Sequence, residues 1–235
     1  MMSDKKTCLI AGVGPGTGLA LARRFAEGGY GVAMLARSAE RLAGYEKDVP
    51  GARAYTCDVA NAEDLAVSYG RVCEEMGTPE IVIHNAPGGA FGSFLDVEPE
   101  ILERNFRTNT MGLYHLARLA APAMMERGSG VILCTGNTSA HRGVPNFAGF
   151  APTKAAQRIL AESIARTLSP KGVHVAYITI DAVIAVPWAL EMFKDKPREF
   201  FIEPDDIAAE CFHTAHQPRS AWSFNVEIRP FGESW

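Results

Sequence analysis

Residues 7–37 read TCLIAGVGPGTGLALARRFAEGGYGVAMLAR, and this stretch decides the fold. The apolar run at 8–11 predicts a buried strand, and a helix with apolar residues at helical spacing follows the glycine-rich turn. A second apolar run at 32–36 predicts another strand. This order is the context of a phosphate-binding loop, because the helix N-terminus presents free amides and a positive dipole end. A plain structural turn is the alternative interpretation. The residues that we assign to phosphate binding are Gly12, Gly14, Pro15, Gly16, Thr17 and Gly18.

The end of the predicted second strand indicates which nucleotide binds. NAD sites usually carry Asp or Glu there, which accepts a hydrogen bond from the ribose 2′-hydroxyl. Here the strand ends with Ala36, Arg37 and Ser38, and no acid follows. The planar guanidinium of Arg37 suits a 2′-phosphate, and Ser38 adds a hydroxyl donor. Arg37 as a solvated loop residue is the alternative. The sequence therefore predicts NADP(H) rather than NAD(H).

Composition narrows the class of protein. The chain has 235 residues, 47% hydrophobic and 21% charged, with a net charge of −4, so nothing favours a nucleic-acid partner. The first six residues contain no apolar segment that would serve as a signal or membrane helix. The cysteines are scattered without metal-ligand spacing, so we expect buried free thiols, no metal site and a cytoplasmic location. They are Cys8, Cys57, Cys73, Cys134 and Cys211.

Strand-like and helix-like segments alternate along the rest of the chain. This alternation predicts one α/β domain over residues 1–235, a Rossmann-type, doubly wound, seven-stranded parallel sheet with helices on both faces. Strands are predicted at 52–57, 81–84, 130–135, 173–180 and 220–229, and helices at 38–49, 65–76, 100–127 and 151–168. Asp58 or Asn61 is expected to cap the helix at 65–76. The aromatic-rich, irregular segment 181–204 is interpreted as a substrate lid, with a packing flap as the alternative.

Six short motifs occur in the order expected for one family. They are the glycine loop at 11–18, Asp58 with Val59, the loop at 84–87, the Asn-x-x-Gly motif at 109–112, Phe150 four residues before Lys154, and the helix start at 202–208. Together they resemble the short-chain dehydrogenase/reductase family over nearly the whole chain. Ala11 replaces the usual threonine, and only Asn85 and Ala86 keep the family's pattern after the fourth strand. His84, where the family has asparagine, is interpreted as a core imidazole with its hydrogen bonds satisfied.

The resemblance implies roles for these positions. Asp58 and Val59 would contact the adenine, and Lys154 would bind the nicotinamide ribose. With Asn109, Lys154 would also hold a proton-carrying water. Asn85, Ala86, Val183 and Ile184 complete the predicted cofactor site. The family also implies a homodimer or homotetramer and a small-molecule substrate.

The predicted catalytic site departs from the family at two positions. Phe150 stands where the family has the tyrosine that donates a proton. Asn137 stands where the family has the serine that positions the substrate oxygen. The amide of Asn137 can still donate to a developing oxyanion, whereas phenylalanine has no proton to give. A positioned acid contributes about 10²–10⁴-fold in rate, so a slower enzyme is physically allowed. The replacement acids that we consider are Thr138, Ser139, His141, Thr153, a water held by Lys154, and Lys154 itself.

Three functions follow from these residues. The first is an NADP(H)-dependent oxidoreductase acting on a small, partly apolar carbonyl, or on an activated C=C or C=N bond. Lys154, Asn109, Asn137 and Phe150 would form its catalytic site. The second is a pseudoenzyme that binds NADPH as a sensor or a partner-binding protein. The third is a family fold that has lost nucleotide binding, which the glycine loop and Arg37 argue against.

Overall fold

The computed structural model describes residues 5–232, and its centre is a seven-stranded parallel sheet in the order β3-β2-β1-β4-β5-β6-β9. Two further strands, β7 and β8, pair with each other outside it. Within the described residues the strands are β1 Thr7–Ala11, β2 Gly31–Ala36, β3 Ala52–Thr56, β4 Ile81–His84, β5 Gly130–Asn137, β6 Val173–Ile180, β7 Val183–Ile184, β8 Phe201–Ile202 and β9 Asn225–Ile228.

Helices cover both faces of this sheet, as the sequence predicted. Those in the described part of the chain are α1 Thr17–Glu27, α2 Ala39–Asp48, α3 Ala62–Met76, α4 Pro99–Phe106, α5 Gly112–Arg127, α6 Ala151–Leu168, α7 Pro187–Met192 and α8 Pro204–Ala215. Apolar residues of α1, α2 and α8 pack on one face, and those of α3, α5 and α6 pack on the other. Alternate residues of β1 enter the two cores, which is the period-two pattern of a strand buried on both sides.

The structure differs from the sequence prediction at three elements. The helix predicted at 100–127 is divided into α4 and α5 by a π-helical turn, Arg107–Met111. The strand predicted at 220–229 is shorter, because a 3₁₀ turn at Arg219–Ala221 follows Pro218. The segment predicted to be an irregular lid contains β7, α7 and β8. Asn61 is the residue that caps α3, since its Oδ1 accepts from the backbone amides of Glu63 and Asp64.

The strand order places the candidate site. β1 and β4 are neighbours at the centre of the sheet. From β1 the next strands, β2 and β3, follow on one side, and from β4 the later strands, β5 and β6, follow on the other side. Ligands of such sheets bind at the carboxyl ends of the strands beside this reversal. No helix among residues 5–232 is both long and apolar enough to cross a membrane.

Candidate functional site

The glycine turn after β1 is tight at one end and open in its middle. Gly12 has a φ of +101°, and a Cβ there would lie 2.4 Å from the backbone nitrogen of Ala86. Only glycine therefore allows β1 to turn beside the loop that follows β4. A Cβ on Gly14 would meet no heavy atom within 4 Å, and Gly14 lines an open cavity. The turn therefore leaves open space at Gly14 in the wall of this cavity.

That cavity has a volume of about 540 Å³ and lies at the carboxyl ends of β1 to β4. Its walls come from the glycine turn, the ends of β2 and β3, the loop after β4, and α4. Of the predicted site residues it is lined by Gly12, Gly14, Arg37, Asp58, Val59 and Ala86. Sequence positions far apart thus meet in one place, as the strand order requires.

Positive charge dominates this cavity. Among residues 5–232, three arginines line it, Arg37 and Arg41 after β2 and Arg104 on α4, and Asp58 is the one acid. In the described part of the chain, none of the three guanidinium groups has a hydrogen-bond or ion-pair partner. Ser38, which was predicted to donate to a phosphate, caps α2, and its Oγ accepts from the amide of Arg41 at 3.4 Å. The arrangement can bind a ligand with several negative charges.

Asn85 joins the ends of three strands. Its Nδ2 donates to the carbonyl of Gly12 at 2.8 Å, and its Oδ1 accepts from the Oγ1 of Thr135 at 2.9 Å. Its backbone amide donates to the carbonyl of Ala11. The predicted cofactor residue Asn85 therefore holds the glycine turn through its Nδ2 and ties it to β5 through its Oδ1.

Asn109 connects the loop after β4 to α6. It is fully buried, its Oδ1 accepts from the amide of Gly88, and its Nδ2 donates to the carbonyl of Gly88 and to the Oγ1 of Thr153, all at 2.8 Å. Thr153 in turn donates to the carbonyl of Phe150 at 2.7 Å. These bonds engage the hydroxyl proton of Thr153, so this hydroxyl is not a free acid.

Lys154 is almost wholly buried within a polar network. Its Nζ donates to the carbonyl of Thr135 at 3.0 Å and to the Oε1 of Gln157. The Nε2 of Gln157 donates to the carbonyl of Asn109 at 2.7 Å and lies 3.2 Å from the Nδ1 of His84. Burial is the main cause that lowers the pKa of Lys154, and it lowers the pKa of His84 to about 3, with the charge of Lys154 adding to the effect. The prediction that His84 is a satisfied core imidazole is confirmed, since its Nε2 also bonds the carbonyl of Thr108.

The two positions that depart from the family lie at the end of β5, for Asn137, and at the start of α6, for Phe150. Phe150 is the N-cap residue of α6, and its ring lies 6.3 Å from that of Phe147. The Nδ2 of Asn137 donates to the carbonyl of Ile180 at 3.3 Å, and its Oδ1 accepts from the amide of Ser139 at 2.9 Å. One N–H of the Asn137 amide is left for a substrate oxygen.

The other candidate acids fall into different surroundings. Ser139 is buried, and within the described chain its Oγ has no hydrogen-bond partner. His141 lies beside the Oγ1 of Thr179 at 3.3 Å and lines a separate cavity of about 380 Å³. Burial, and then the charge of Arg158, lower the pKa of His141. His141 is thus placed away from the arginine-lined cavity.

The segment after β6 lies against the glycine turn. Val183 and Ile184 form β7, which pairs with β8. A Cβ on Gly16 would lie 2.5 Å from the Cγ1 of Val186, so this segment packs on the turn itself. The Oγ1 of Thr17 at the start of α1 is buried and has no partner in residues 5–232, while Pro15 beside it is exposed.

Comparison with known proteins decides the family. The family model described as short chain dehydrogenase matches residues 6–189, which is most of the chain. The chain belongs to the short-chain dehydrogenase/reductase family. Family membership places it among oxidoreductases, and the seven-stranded sheet with helices on both faces is the fold of this family.

Individual members of the short-chain dehydrogenase/reductase family are similar over most of the chain. Oxidoreductase asL5 of Sarocladium schorii is 32% identical over 203 residues, covering 86% of this chain and 81% of that protein. Versicolorin reductase 1 of Aspergillus parasiticus is 32% identical over 202 residues, covering 84% and 75%. The crystal structure of a metagenomic short-chain oxidoreductase in complex with NADP has a TM-score of 0.84 at 24% identity, covering 97% and 98%.

Three residues that lie at the site of this short-chain dehydrogenase/reductase were not identified from the sequence. Arg41 lies four positions after Arg37 on a predicted helix, a spacing that places both at one helix end. Gln157 lies three positions after Lys154, on the same face of α6, where the other buried residues are mostly apolar. Arg104 carries no sequence signal of its own, because only the sheet order brings α4 to the cavity.

Proposed function

We propose that the chain is an NADP(H)-dependent oxidoreductase that transfers a hydride to or from a partly apolar carbonyl compound, or an activated C=C or C=N bond. The observation that carries this proposal is the cavity after β2, where Arg37 and Arg41 stand without an ion-pair partner among the described residues. Asp58, in the loop after β3, already accepts from the amide of Ala60 at 3.0 Å. The 2′-phosphate of NADP(H) supplies the charge that these guanidinium groups bind, whereas the 2′-hydroxyl of NAD(H) does not.

The glycine turn fits the pyrophosphate of the same cofactor. Gly14 faces open space, and the first turn of α1 directs its amides and the positive end of its dipole toward that space. The hydroxyl of Thr17, unpartnered in the described chain, adds a buried donor at the same helix start. Gly12, Gly14, Thr17, Arg37 and Arg41 therefore suit both phosphate groups.

The chain's own polar groups set the limits of catalysis. When bound, the reduced nicotinamide supplies the hydride. The free N–H of Asn137 would hold the substrate oxygen, and the third N–H of Lys154 would bind the ribose. Phe150 gives no proton, so another donor must supply it: a water, Lys154, Thr138, His141 or the hydroxyl of Ser139, which is unpartnered within residues 5–232. Without the family's tyrosine we expect turnover about 10²–10⁴-fold below that of a complete site.

Aromatic rings support a partly apolar substrate. The ring of Phe91 lies 5.3 Å from that of Phe147, which is 6.3 Å from that of Phe150. These three rings run from the loop after β4 to the start of α6, and Phe91 is 76% exposed. Trp188 on α7 is 61% exposed in the segment 181–204, which we propose as a substrate lid within a single domain over residues 1–235.

A titration tests the proposal. Purified protein is titrated with NADPH and with NADH, followed by ligand fluorescence at fixed salt, for the wild type and for Arg37→Ala. We expect tighter binding of NADPH than of NADH, and a loss of about tenfold or more for NADPH alone in Arg37→Ala. Equal binding of the two nucleotides by the wild type contradicts the NADP(H) assignment. Binding of neither contradicts the proposed function altogether.

A second candidate function rests on Phe150. A protein that binds NADPH but lacks the acid suits a sensor or a partner-binding role. NADPH binding without oxidation of NADPH by any carbonyl, enone or imine substrate, in the wild type and in Phe150→Tyr, favours this alternative.

We further propose that the chain forms a homodimer or homotetramer in a reducing cytoplasm. Met111, Met125 and Ile159 expose apolar side chains on the outer surface of the π-helical turn, α5 and α6. The five cysteines are free thiols, four of them buried. A monomeric mass in solution by light scattering argues against the oligomer.

A further inference from the structure

We propose that Gln157 is a positioning residue: its side-chain amide ties the Lys154 ammonium to the Asn109 carbonyl and to His84, and so directs the one remaining N–H of Lys154 toward the nicotinamide ribose. The inference rests on the proposed function, because the ribose belongs to the proposed cofactor. It assigns a role to a glutamine that the sequence motifs do not include.

Only one arrangement of protons satisfies this network. Lysine has donors alone, so the oxygen of the Gln157 amide must face Lys154 and its nitrogen must face the Asn109 carbonyl. The second N–H of that nitrogen then points to the Nδ1 of His84, which must accept. The Nε2 of His84 therefore carries the hydrogen and donates to the carbonyl of Thr108 at 3.1 Å. His84 is neutral in this arrangement, and every polar atom of Gln157 is used.

Three elements meet at Gln157. His84 ends β4, Asn109 lies in the π-helical turn between α4 and α5, and Lys154 is one turn before Gln157 on α6. Gln157 and Asn109 are fully buried, and Lys154 is 4% exposed. None of the ion pairs in residues 5–232 includes Lys154, so a buried ammonium is held by two neutral oxygens. Such a charge needs fixed partners, because burial without them is costly.

The hydrogen bonds of Gln157 also limit how protons reach Lys154. An amide accepts and donates hydrogen bonds, but it does not exchange a proton along the chain as a water does. The amide of Gln157 occupies the connection between Lys154 and the Asn109 carbonyl. Gln157 therefore holds Lys154 without supplying it with protons from the interior.

Ligand binding separates positioning from folding. NADPH and adenosine 2′,5′-bisphosphate, which lacks the nicotinamide ribose, are titrated into the full chain and into Gln157→Met, which removes the amide at nearly constant volume. We expect Gln157→Met to weaken NADPH about tenfold and to leave the bisphosphate within about twofold. Unchanged NADPH binding, or an equal loss for both ligands, overturns the proposal.

A spectroscopic measurement reports on Lys154 without turnover. Protein labelled with ¹³C at lysine Cε is titrated by NMR, and the Lys154 signal is identified by its loss in Lys154→Met. Because Gln157 accepts from the charged ammonium, Gln157→Met should lower the pKa of Lys154 by about one further pH unit, whereas Gln157→Glu should raise it. An unchanged titration of Lys154 in either variant contradicts the role of Gln157.

The two variants keep the test decisive. If Gln157→Met fails to fold, Gln157→Glu retains the acceptor for Lys154 but lacks the donor to the Asn109 carbonyl, and the expected result is a raised pKa of Lys154 together with weaker NADPH binding. A lower or unchanged pKa in that variant overturns the proposal. If the wild type binds neither nucleotide, the proposed function fails, while the lysine titrations still decide whether Gln157 controls Lys154.

Discussion

Phe150 stands at the first turn of the helix that carries Lys154, in the position where the family has its acid. Hydrogen bonds fix the backbone at Phe150. Its carbonyl accepts from the backbone amides of Thr153 and Lys154 and from the Oγ1 of Thr153. The half-buried ring also contacts Phe147. The backbone that would present a tyrosine is therefore intact, and one atom separates this site from the family's acid.

Phe150→Tyr should restore carbonyl reduction. The added hydroxyl supplies a proton donor beside Lys154, and a positioned acid contributes about 10²–10⁴-fold, so we expect kcat/KM to rise at least about 10²-fold. The measurement is NADPH oxidation over a panel of aryl and alkyl ketones. Phe147→Tyr, which adds the same hydroxyl to the neighbouring ring, is the control and should give no comparable gain. Equal rates for wild type and Phe150→Tyr would show that the rest of the site does not assemble for reduction.

Gly12 and Gly14 offer a matched pair of glycine substitutions. Gly12→Ala combines a φ of +101° with a Cβ placed 2.4 Å from backbone, so we expect a loss of about 2–5 kcal/mol in the free energy of unfolding. Gly14→Ala meets no neighbour, so its stability should stay within about 1 kcal/mol of wild type. Its methyl group enters the space proposed for the pyrophosphate, and NADPH affinity should fall at least about tenfold. Urea unfolding and NADPH titration measure both effects, and a Gly14→Ala variant that binds normally contradicts the phosphate assignment.

At the scale of elements, the sheet and most helices could be predicted from the sequence, because buried runs and helical spacing are local signals. The π-helical turn Arg107–Met111 could not, since these residues have ordinary helical spacing. What distinguishes the turn is tertiary: the carbonyls of Thr108 and Asn109 bond His84 and Gln157, which come from β4 and α6. Gly112 leaves room for this contact, because a Cβ there would lie 2.9 Å from the Nε2 of His84.

The candidate site was predictable where a motif carries it and unpredictable where elements meet. The glycine turn, Arg37 and Asp58 follow from the first three strands and line the same cavity. Arg104 belongs to α4, far along the chain, and enters that cavity only because β4 lies beside β1. The same reason hides the Gln157 network, whose partners are 48 and 73 residues away in sequence.

Arg104 on α4 should contribute to nucleotide affinity from the opposite flank of the cavity to Arg37. Charge-assisted hydrogen bonds contribute about 1.5–3 kcal/mol, so Arg104→Ala should weaken NADPH binding about tenfold or more. Arg107→Ala is the matched control, because Arg107 pairs with Glu103 at 3.7 Å and does not line the cavity. Calorimetric titration of both variants at two salt concentrations measures the effect, which should shrink at high salt. Equal affinities for the two variants would remove Arg104 from the site.

For the whole molecule, the two core layers depend on polar groups buried at their edge as well as on apolar packing. His84 lies under the α5 face of the sheet and is buried, and the charge of Lys154 acts on it. Protonation of His84 would add a second positive charge beside Lys154 and would break the bond that the Nδ1 of His84 accepts from Gln157. The folded state therefore excludes a proton that the unfolded chain binds.

This exclusion makes the stability of the protein depend on pH in a defined direction. The pKa of His84 is about 3 in the folded state and about 6.5 in the unfolded chain, so the unfolded state binds more protons between these values. The contribution of His84 is fully present above pH 6.5 and is lost as the pH falls toward 3, at about 1.4 kcal/mol per pH unit.

We expect the free energy of unfolding of the wild type to fall more steeply between pH 6 and pH 4 than that of His84→Asn. Urea unfolding at each pH, with His115→Asn as the control for removal of a histidine on α5, gives the difference between the curves. Parallel curves for wild type and His84→Asn would mean that His84 accepts a proton in the folded protein, and the network around Gln157 would then have a different proton arrangement.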